Sequence, residues 1–177
     1  MIESTSLEYL IEDKIEEVLA FLTPLSNENG IQFNPYFTSG PEEDINPFLI
    51  TETATNIYPL IWFAYPCTEI RTNSIVKADN VRLILAIENS KEVLNKARLQ
   101  SSYKKILYPL FYDIRRLFIK ANNIEVYAQE YSLTKFPNYG QTKQNFYQTQ
   151  KSESVEIWDV LAVDFGIKVT KFQNGLV

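Results

Sequence analysis

The feature that most constrains the fold of this chain is an apolar stripe that keeps helical spacing for about seven turns. Its members are Val93, Leu94, Ala97, Ile106, Leu107, Leu110, Ile114, Leu117 and Phe118. This spacing predicts a helix that begins after Asn89-Ser90, either of which can cap it, and continues to about Lys120. Pro109 lies inside and predicts a kink, or two helices end to end.

A shorter amphipathic helix is predicted near the N-terminus. From Thr5 to Leu22, apolar residues recur three and four positions apart, and acidic residues fill most of the remaining positions. Thr5 and Glu8 match a capping box, and Pro24 ends the helix.

Four stretches, 57–66, 81–87, 124–131 and 155–169, have the apolar content or the alternation of β-strands. Pro59 and Pro66 place the first stretch near a sheet edge or mark its ends, and the second is apolar on both faces, as in an interior strand. The element order predicts an α+β fold in one domain over 1–177. We expect an antiparallel sheet with the N-terminal helix and the long helix packed on one face, and with long loops.

Two of those loops are unusually long, and connections of such length are often functional. Residues 26–56 mix short apolar pieces with turn residues, which predicts one or two short strands in a connection that is either functional or a simple surface excursion. Residues 132–154 are predicted to form a loop between the last two strands.

The composition excludes several classes of function. The chain has no histidine, so it can form neither a Ser-His-Asp triad nor a histidine metal site. The net charge of -5 disfavours a domain that binds the phosphates of nucleic acid, because such binding needs clustered Lys and Arg. We therefore expect no catalytic residue, no metal ligand and no cofactor, and we expect the chain to bind a partner and not to be an enzyme.

The sequence also bears on location. No apolar run is long enough for a membrane-spanning helix, and the first residues do not have the pattern of a signal peptide. A single cysteine, Cys67, excludes an internal disulfide, fits a reducing compartment and is interpreted as a small core residue. We expect a protein of the cytoplasm that is not bound to membrane.

Acidic residues were weighed as catalytic candidates. Glu88 and Lys91 at a strand end, with Asp79 before them, allow a comparison with magnesium-dependent nucleases, but helix capping explains the 88–91 segment better. Asp159 and Asp164 have odd spacing in one strand and must point to opposite faces. Asp159 is then either buried and hydrogen-bonded or directed into a subunit interface.

A second acidic group, Glu42-Glu43-Asp44, is interpreted as a solvated turn.

The remaining feature is a surplus of aromatic residues outside the predicted helices. Trp62 and Phe63 are interpreted as core residues. Because aromatic side chains are enriched where proteins meet, a second set is predicted to lie in a protein interface. That set is Tyr36, Phe37, Phe136, Tyr139, Phe146 and Tyr147.

The element order, with the stretches 58–62, 80–88, 95–109 and 157–165, resembles that of the neck and tail-terminator (tail-completion) proteins of tailed bacteriophages, including those of crAss-like phages. The resemblance implies a virion protein, assembled in the host cytoplasm, that forms a homo-oligomeric ring at the head-to-tail junction. Its partners would be copies of itself, the portal or adaptor and the tail tube, with DNA only passing through an acidic lumen. The alternatives are a non-enzymatic adaptor or regulatory protein that binds one cellular partner, and a cryptic nuclease.

Overall fold

A computed structural model describes residues 10–26, 32–45, 48, 57–72, 74–89, 93–126, 131–139 and 157–170. The fold is α+β, as predicted. The helices are α1 (Ile11–Leu19) and a long helix, α2, that covers 95–120. The strands are β1 (Leu25–Ser26), β2 (Gln32–Phe33), β3 (Tyr36–Pro41), β4 (Leu60–Tyr65), β5 (Glu69–Arg71), β6 (Ile75–Asn89), β7 (Ile124–Glu125), β8 (Ser132–Tyr139) and β9 (Ile157–Thr170).

The main sheet is built on the long antiparallel pair β6–β9, which runs from Ile75↔Thr170 to Asn89↔Ile157. On one side the order continues through β4 to β3, and on the other side β7 and β8 both pair with β9. The β3–β4 pair is parallel, whereas every other pair between the described strands is antiparallel. The predicted antiparallel sheet therefore has one exception, because the connection from β3 crosses back before β4 begins.

Both faces of this sheet are covered. Alternate residues along β4 and β9, such as Phe63 and Leu161, pack with both helices into one core. Their neighbours, such as Trp62 and Val160, pack on the opposite face against Ile45 from the connection between β3 and β4. The two helices lie on the same face, as predicted, and the predicted core positions of Trp62 and Phe63 are confirmed by exposures of 3% and 0%.

The long helix is continuous through Pro109. An α-helical turn, Asn95–Arg98, is followed by the π-helical segment Leu99–Leu107 and then by the α-helical segment Tyr108–Lys120. Pro109 lies near the start of that last segment but inside the continuous helix, where it cannot donate the usual backbone hydrogen bond to the preceding turn. The predicted irregularity near Pro109 is thus a change of helical hydrogen bonding in the preceding turns.

The predicted start of this helix is wrong, although its predicted end at Lys120 is confirmed. Helix α2 begins at Asn95, and Asn89 is the last residue of β6. Asn89 does not cap a helix because its side chain donates hydrogen bonds to Asp159 and Ser102. Ser90 and Lys91 lie outside the described residues.

The predicted strand at 124–131 and the predicted loop at 132–154 are also misplaced. Strand β7 is only Ile124–Glu125, whereas Ser132–Tyr139 forms β8 along β9. Five of the seven β8 side chains that the structure describes are exposed, as edge strands allow, and the segment has no apolar alternation to reveal it. Residues 140–156 lie outside the described residues, as do residues 5–9 of the predicted first helix.

A buried polar cluster holds the start of α2 to the sheet. Asp159 of β9 is 0% exposed and Arg98 is 2% exposed, and their Oδ1 and Nη1 atoms are 3.0 Å apart. The other carboxylate oxygen of Asp159 accepts hydrogen bonds from Ser102 at 2.6 Å and from Asn89 at 2.5 Å. This confirms the interpretation of Asp159 as a buried, hydrogen-bonded residue.

We predict that Asp159→Ala lowers the free energy of unfolding by about 3–5 kcal/mol, because it leaves the Arg98 guanidinium buried without its counter-charge. Urea unfolding followed by circular dichroism measures this loss. The matched control is the double variant Arg98→Met with Asp159→Leu, which removes both charges and should recover most of the stability. A single variant as stable as the native chain would contradict this role.

Candidate functional site at the two sheet edges

The sheet ends in two unlike edges. Among the described strands, β3 pairs only with β4 and β8 pairs only with β9. Each edge strand contains a proline, Pro41 in β3 and Pro137 in β8, and proline is tolerated in such positions because no sheet hydrogen bond is lost. Strands β4, β6 and β9 separate the two edges.

The predicted interface residues fall on these edges. Tyr36 and Phe37 lie on β3, where Tyr36 is 42% exposed and Phe37 is half-buried. Phe136 and Tyr139, predicted to lie in a loop, belong to β8, where Phe136 is 40% exposed and Tyr139 is half-buried. The structure therefore places the four residues as two pairs at opposite ends of the sheet. Phe146 and Tyr147 lie outside the described residues.

The β3 edge carries a cleft of about 260 Å³ between α1 and the strand. Tyr36 and Phe37 line this cleft together with Glu16 of α1. The Tyr36 ring stacks on Phe48 with 6.2 Å between centroids, and Phe48 lies 5.2 Å from the ring of Trp62. The exposed aromatic of this edge is therefore supported by rings that reach the buried core.

A close approach of backbone to aromatic ring fixes β3 in place. Trp62 Nε1 donates a hydrogen bond of 3.0 Å to the carbonyl oxygen of Gly40. A Cβ atom at Gly40 would lie 2.7 Å from Trp62 Cζ2, which is inside van der Waals contact. Only glycine fits this position without displacing the indole.

We predict that Gly40→Ala lowers the free energy of unfolding by about 1–3 kcal/mol, because the added methyl group overpacks against Trp62. The change is measured by the urea midpoint and by a red shift of the Trp62 fluorescence. Both variants are made in a Trp158→Phe background, so that Trp62 is the only tryptophan that fluoresces. Asn34→Ala, at an exposed position two residues before β3, is the control and should leave stability nearly unchanged. Equal stability of the two variants would refute the packing argument.

The β8 edge lies beside α2. Lys135 of β8 places its Nζ atom 5.3 Å above the ring of Tyr108, and Arg115 lies 5.8 Å from the ring of Tyr131, just before β8. The rings of Phe136 and Tyr139 meet edge to face at 6.0 Å, across a register shift in the β8–β9 pairing. The register shift and Pro137 interrupt the row of unpaired backbone N–H and C=O groups along this edge. A partner would therefore contact its side chains and not its backbone.

An ion-pair cluster anchors the segment that follows β3. Arg82 donates to Asp164 at 2.6 Å and to Glu42 at 3.0 Å, beside a cleft of about 360 Å³. The hydrogen bond with Asp164 is the main cause of a raised pKa for the Arg82 guanidinium. Glu42 is thus paired in a 3₁₀ turn, whereas Glu43 and Asp44 are exposed, as predicted for a solvated turn.

The acidic residues weighed for nuclease chemistry are not brought together. Asp79 and Glu88 are both exposed on β6 and nine residues apart, which is about 30 Å along a strand. Asp159 and Asp164 contact different partners on opposite faces of β9, as predicted. Within the described ranges, no three Cys, Asp or Glu side chains converge as metal ligands.

Cys67 is half-buried at the margin of the helix-face core. Burial, with a smaller contribution from Glu69, raises the pKa of its thiol to about 11. The nucleophilic thiolate is therefore scarce at neutral pH.

We predict that iodoacetamide modifies Cys67 of the native protein at least tenfold more slowly at pH 8 than in 8 M urea. Burial keeps the thiol protonated in the fold, and unfolding returns its pKa to the ordinary value of about 8.5. Intact mass against time measures both rates. The native rate should rise as the pH approaches 11, and equal rates at pH 8 would contradict the raised pKa.

In the part of the chain that the structure describes, no helix is both long and apolar enough to cross a membrane. No known protein family matches this sequence, and no curated protein is found to be similar to it. The resemblance to bacteriophage neck and tail-terminator proteins therefore stays a prediction.

Proposed function

We propose that this chain is a structural protein of the bacteriophage head-to-tail junction, which forms a homo-oligomeric ring that joins the portal or adaptor to the tail and lets DNA pass. It acts in the virion after assembly in the host cytoplasm, and it acts by contact and not by catalysis. One observation carries the proposal: the sheet has two different edges at opposite ends, and each presents an exposed aromatic side chain, Tyr36 or Phe136.

Two unlike surfaces on one subunit favour a head-to-tail contact, which repeats from copy to copy and closes into a ring when the rotation allows. Aromatic side chains suit such contacts because they bury much area for few rotatable bonds. Because a proline interrupts each of these two edge strands, copies are expected to meet through side chains and not through backbone pairing that would extend the sheet from copy to copy. The net charge of -5 supports passage of DNA, because an acidic wall does not hold the phosphates.

The proposal predicts a ring-sized mass for the purified chain in light scattering at several concentrations. Tyr36→Ser and Phe136→Ser should each shift the mass towards the monomer, because each removes the aromatic contact of one edge. Both side chains are partly exposed, so the urea midpoint of each variant should change little.

Ile70→Ser is the matched control, since Ile70 is 56% exposed but lies on β5, which pairs with β6 and belongs to neither β3 nor β8. Its mass should equal that of the native chain. A native chain that stays monomeric at every concentration, and that ignores co-expressed portal and tail-tube proteins, would contradict the ring. That result would favour the alternative of an adaptor that binds a single cellular partner.

A further inference from the structure

The outer face of helix α2 is basic although the chain as a whole is acidic. The helix contains seven Lys or Arg side chains and a single carboxylate, Asp113, which is paired with Arg116 at 3.0 Å. One of the seven cations, Arg98, is buried at the start of the helix, and the other six are exposed. Positive charge is therefore concentrated on the solvent side of α2.

A stripe of large side chains runs among these cations. Its members recur three and four positions apart and therefore share one side of the helix. They are Tyr108, Tyr112, Arg115 and Ile119. The rings of Tyr108 and Tyr112 stack with 6.4 Å between centroids. Tyr112 is 56% exposed and Ile119 is 70% exposed, and both line a shallow groove of about 180 Å³. Apolar side chains bordered by charge in this way are typical of a surface that binds a protein.

The stripe lies on the side of α2 that faces β8. The Nζ atom of Lys135, an exposed residue of β8, is 5.3 Å from the centroid of the Tyr108 ring. The guanidinium of Arg115 is 5.8 Å from the centroid of Tyr131, just before β8. Within the described part of the chain, neither cation is paired with a carboxylate, so the rings hold both in place and leave their charge available. The stripe and Lys135 together are here called the basic surface.

The acidic helix α1 lies on the other side of α2. It packs beside the C-terminal part of α2, and it also lines the cleft with β3. Its Glu12 accepts a hydrogen bond of 2.6 Å from Tyr65 of β4. In the sheet, β3 and β4 lie on one side of the β6–β9 pair and β8 lies on the other. The exposed carboxylates of α1 therefore flank α2 on the side opposite to the basic surface.

We propose that the basic surface binds an acidic segment of a partner protein, in which carboxylates flank an aromatic or aliphatic side chain. The carboxylates contact Arg115 and Lys135, and the apolar side chain is buried against Tyr112 and Ile119. Charge complementarity orients such a segment, and the burial of apolar area supplies affinity. The inference goes beyond the proposed ring, because Phe136, which carries the ring contact, follows Lys135 in β8 and points to the other face of the sheet.

A protein segment fits this surface better than a nucleic acid does. Exposed charges are screened over about 8 Å at physiological salt, so a short acidic segment responds mainly to the cations next to it. A duplex extends past the surface and meets the carboxylates of a chain whose net charge is -5. Phosphates also offer no apolar group against which Ile119 could be buried.

The test is the binding of a fluorescein-labelled synthetic peptide to the full chain, measured by fluorescence anisotropy. The probe consists of three Asp-Glu-Phe-Leu repeats, and a matched peptide with serine in place of phenylalanine and leucine keeps only the charge. We expect the probe to bind at least tenfold more tightly than the matched peptide, because only the probe buries apolar area on Tyr112 and Ile119.

Variants of the chain assign this binding to the basic surface. Arg115→Glu with Lys135→Glu should weaken probe binding about 100-fold, because like charges then face each other. Arg115→Lys with Lys135→Arg keeps the charge and should retain most of the affinity, whereas Tyr112→Ser should lose about tenfold. The three positions are exposed, so the urea midpoints should change little. The control Lys77→Glu, on the opposite face of β6 from its core neighbours, should bind as the native chain does.

A native chain that does not bind the probe, or a charge-reversed variant that binds it as the native chain does, would overturn the inference. A short DNA duplex that binds more tightly than the probe, and is lost in the same variant, would assign the surface to nucleic acid and also overturn it. A charge-reversed variant that loses oligomer mass, while the native chain ignores the probe, would assign the surface to contact between copies, which overturns the inference and leaves the ring standing. Probe binding by a chain that stays monomeric would support the inference and contradict the ring.

Discussion

The buried carboxylate of Asp159 is the constraint on which the arrangement of helix and sheet depends. A charge at 0% exposure is tolerated only when counter-charge and hydrogen bonds surround it, and these come from the last residue of β6 and from the first turns of α2. Arg98 also donates to the carbonyl oxygen of Val93, so the chain entering the helix is held as well. The cluster is complete only when β9, β6 and α2 occupy their native positions, and it thereby fixes where α2 starts over the sheet.

Once the position of α2 over the sheet is fixed, the packing of the elements determines which surfaces remain exposed. The β6–β9 pair fills the middle of the sheet, the helices cover one face, and Ile45, Phe48 and Ile57 from the connection after β3 pack on the other. Among the described residues, exposed aromatic and charged groups are then concentrated on the two edges and on the outer faces of the helices.

Periodicity in the sequence predicted the elements that bury one stripe or one face. The last strand, the central part of the interior strand at 81–87 and the long helix from Asn95 to Lys120 appeared where they were predicted, because a repeated apolar spacing has only one way to face a core. The start of the helix and the first residues of β6 did not. The odd spacing of Asp159 and Asp164 predicted opposite faces for the same reason. Strand β8 escaped prediction because an exposed edge strand owes its conformation to pairing with β9 and not to its own residues.

The sequence by itself determined the α+β class, the two amphipathic helices and the absence of histidine chemistry, since these depend on local spacing and on residue type. Only the tertiary structure decided that Tyr36 and Phe136 lie at opposite edges of the sheet and that Asp159 pairs with Arg98. The physical reason is that partners 61 residues apart, as Arg98 and Asp159 are, meet through strand order and helix placement. Such contacts between distant residues leave no periodic trace in the sequence, because they are set by how the elements pack.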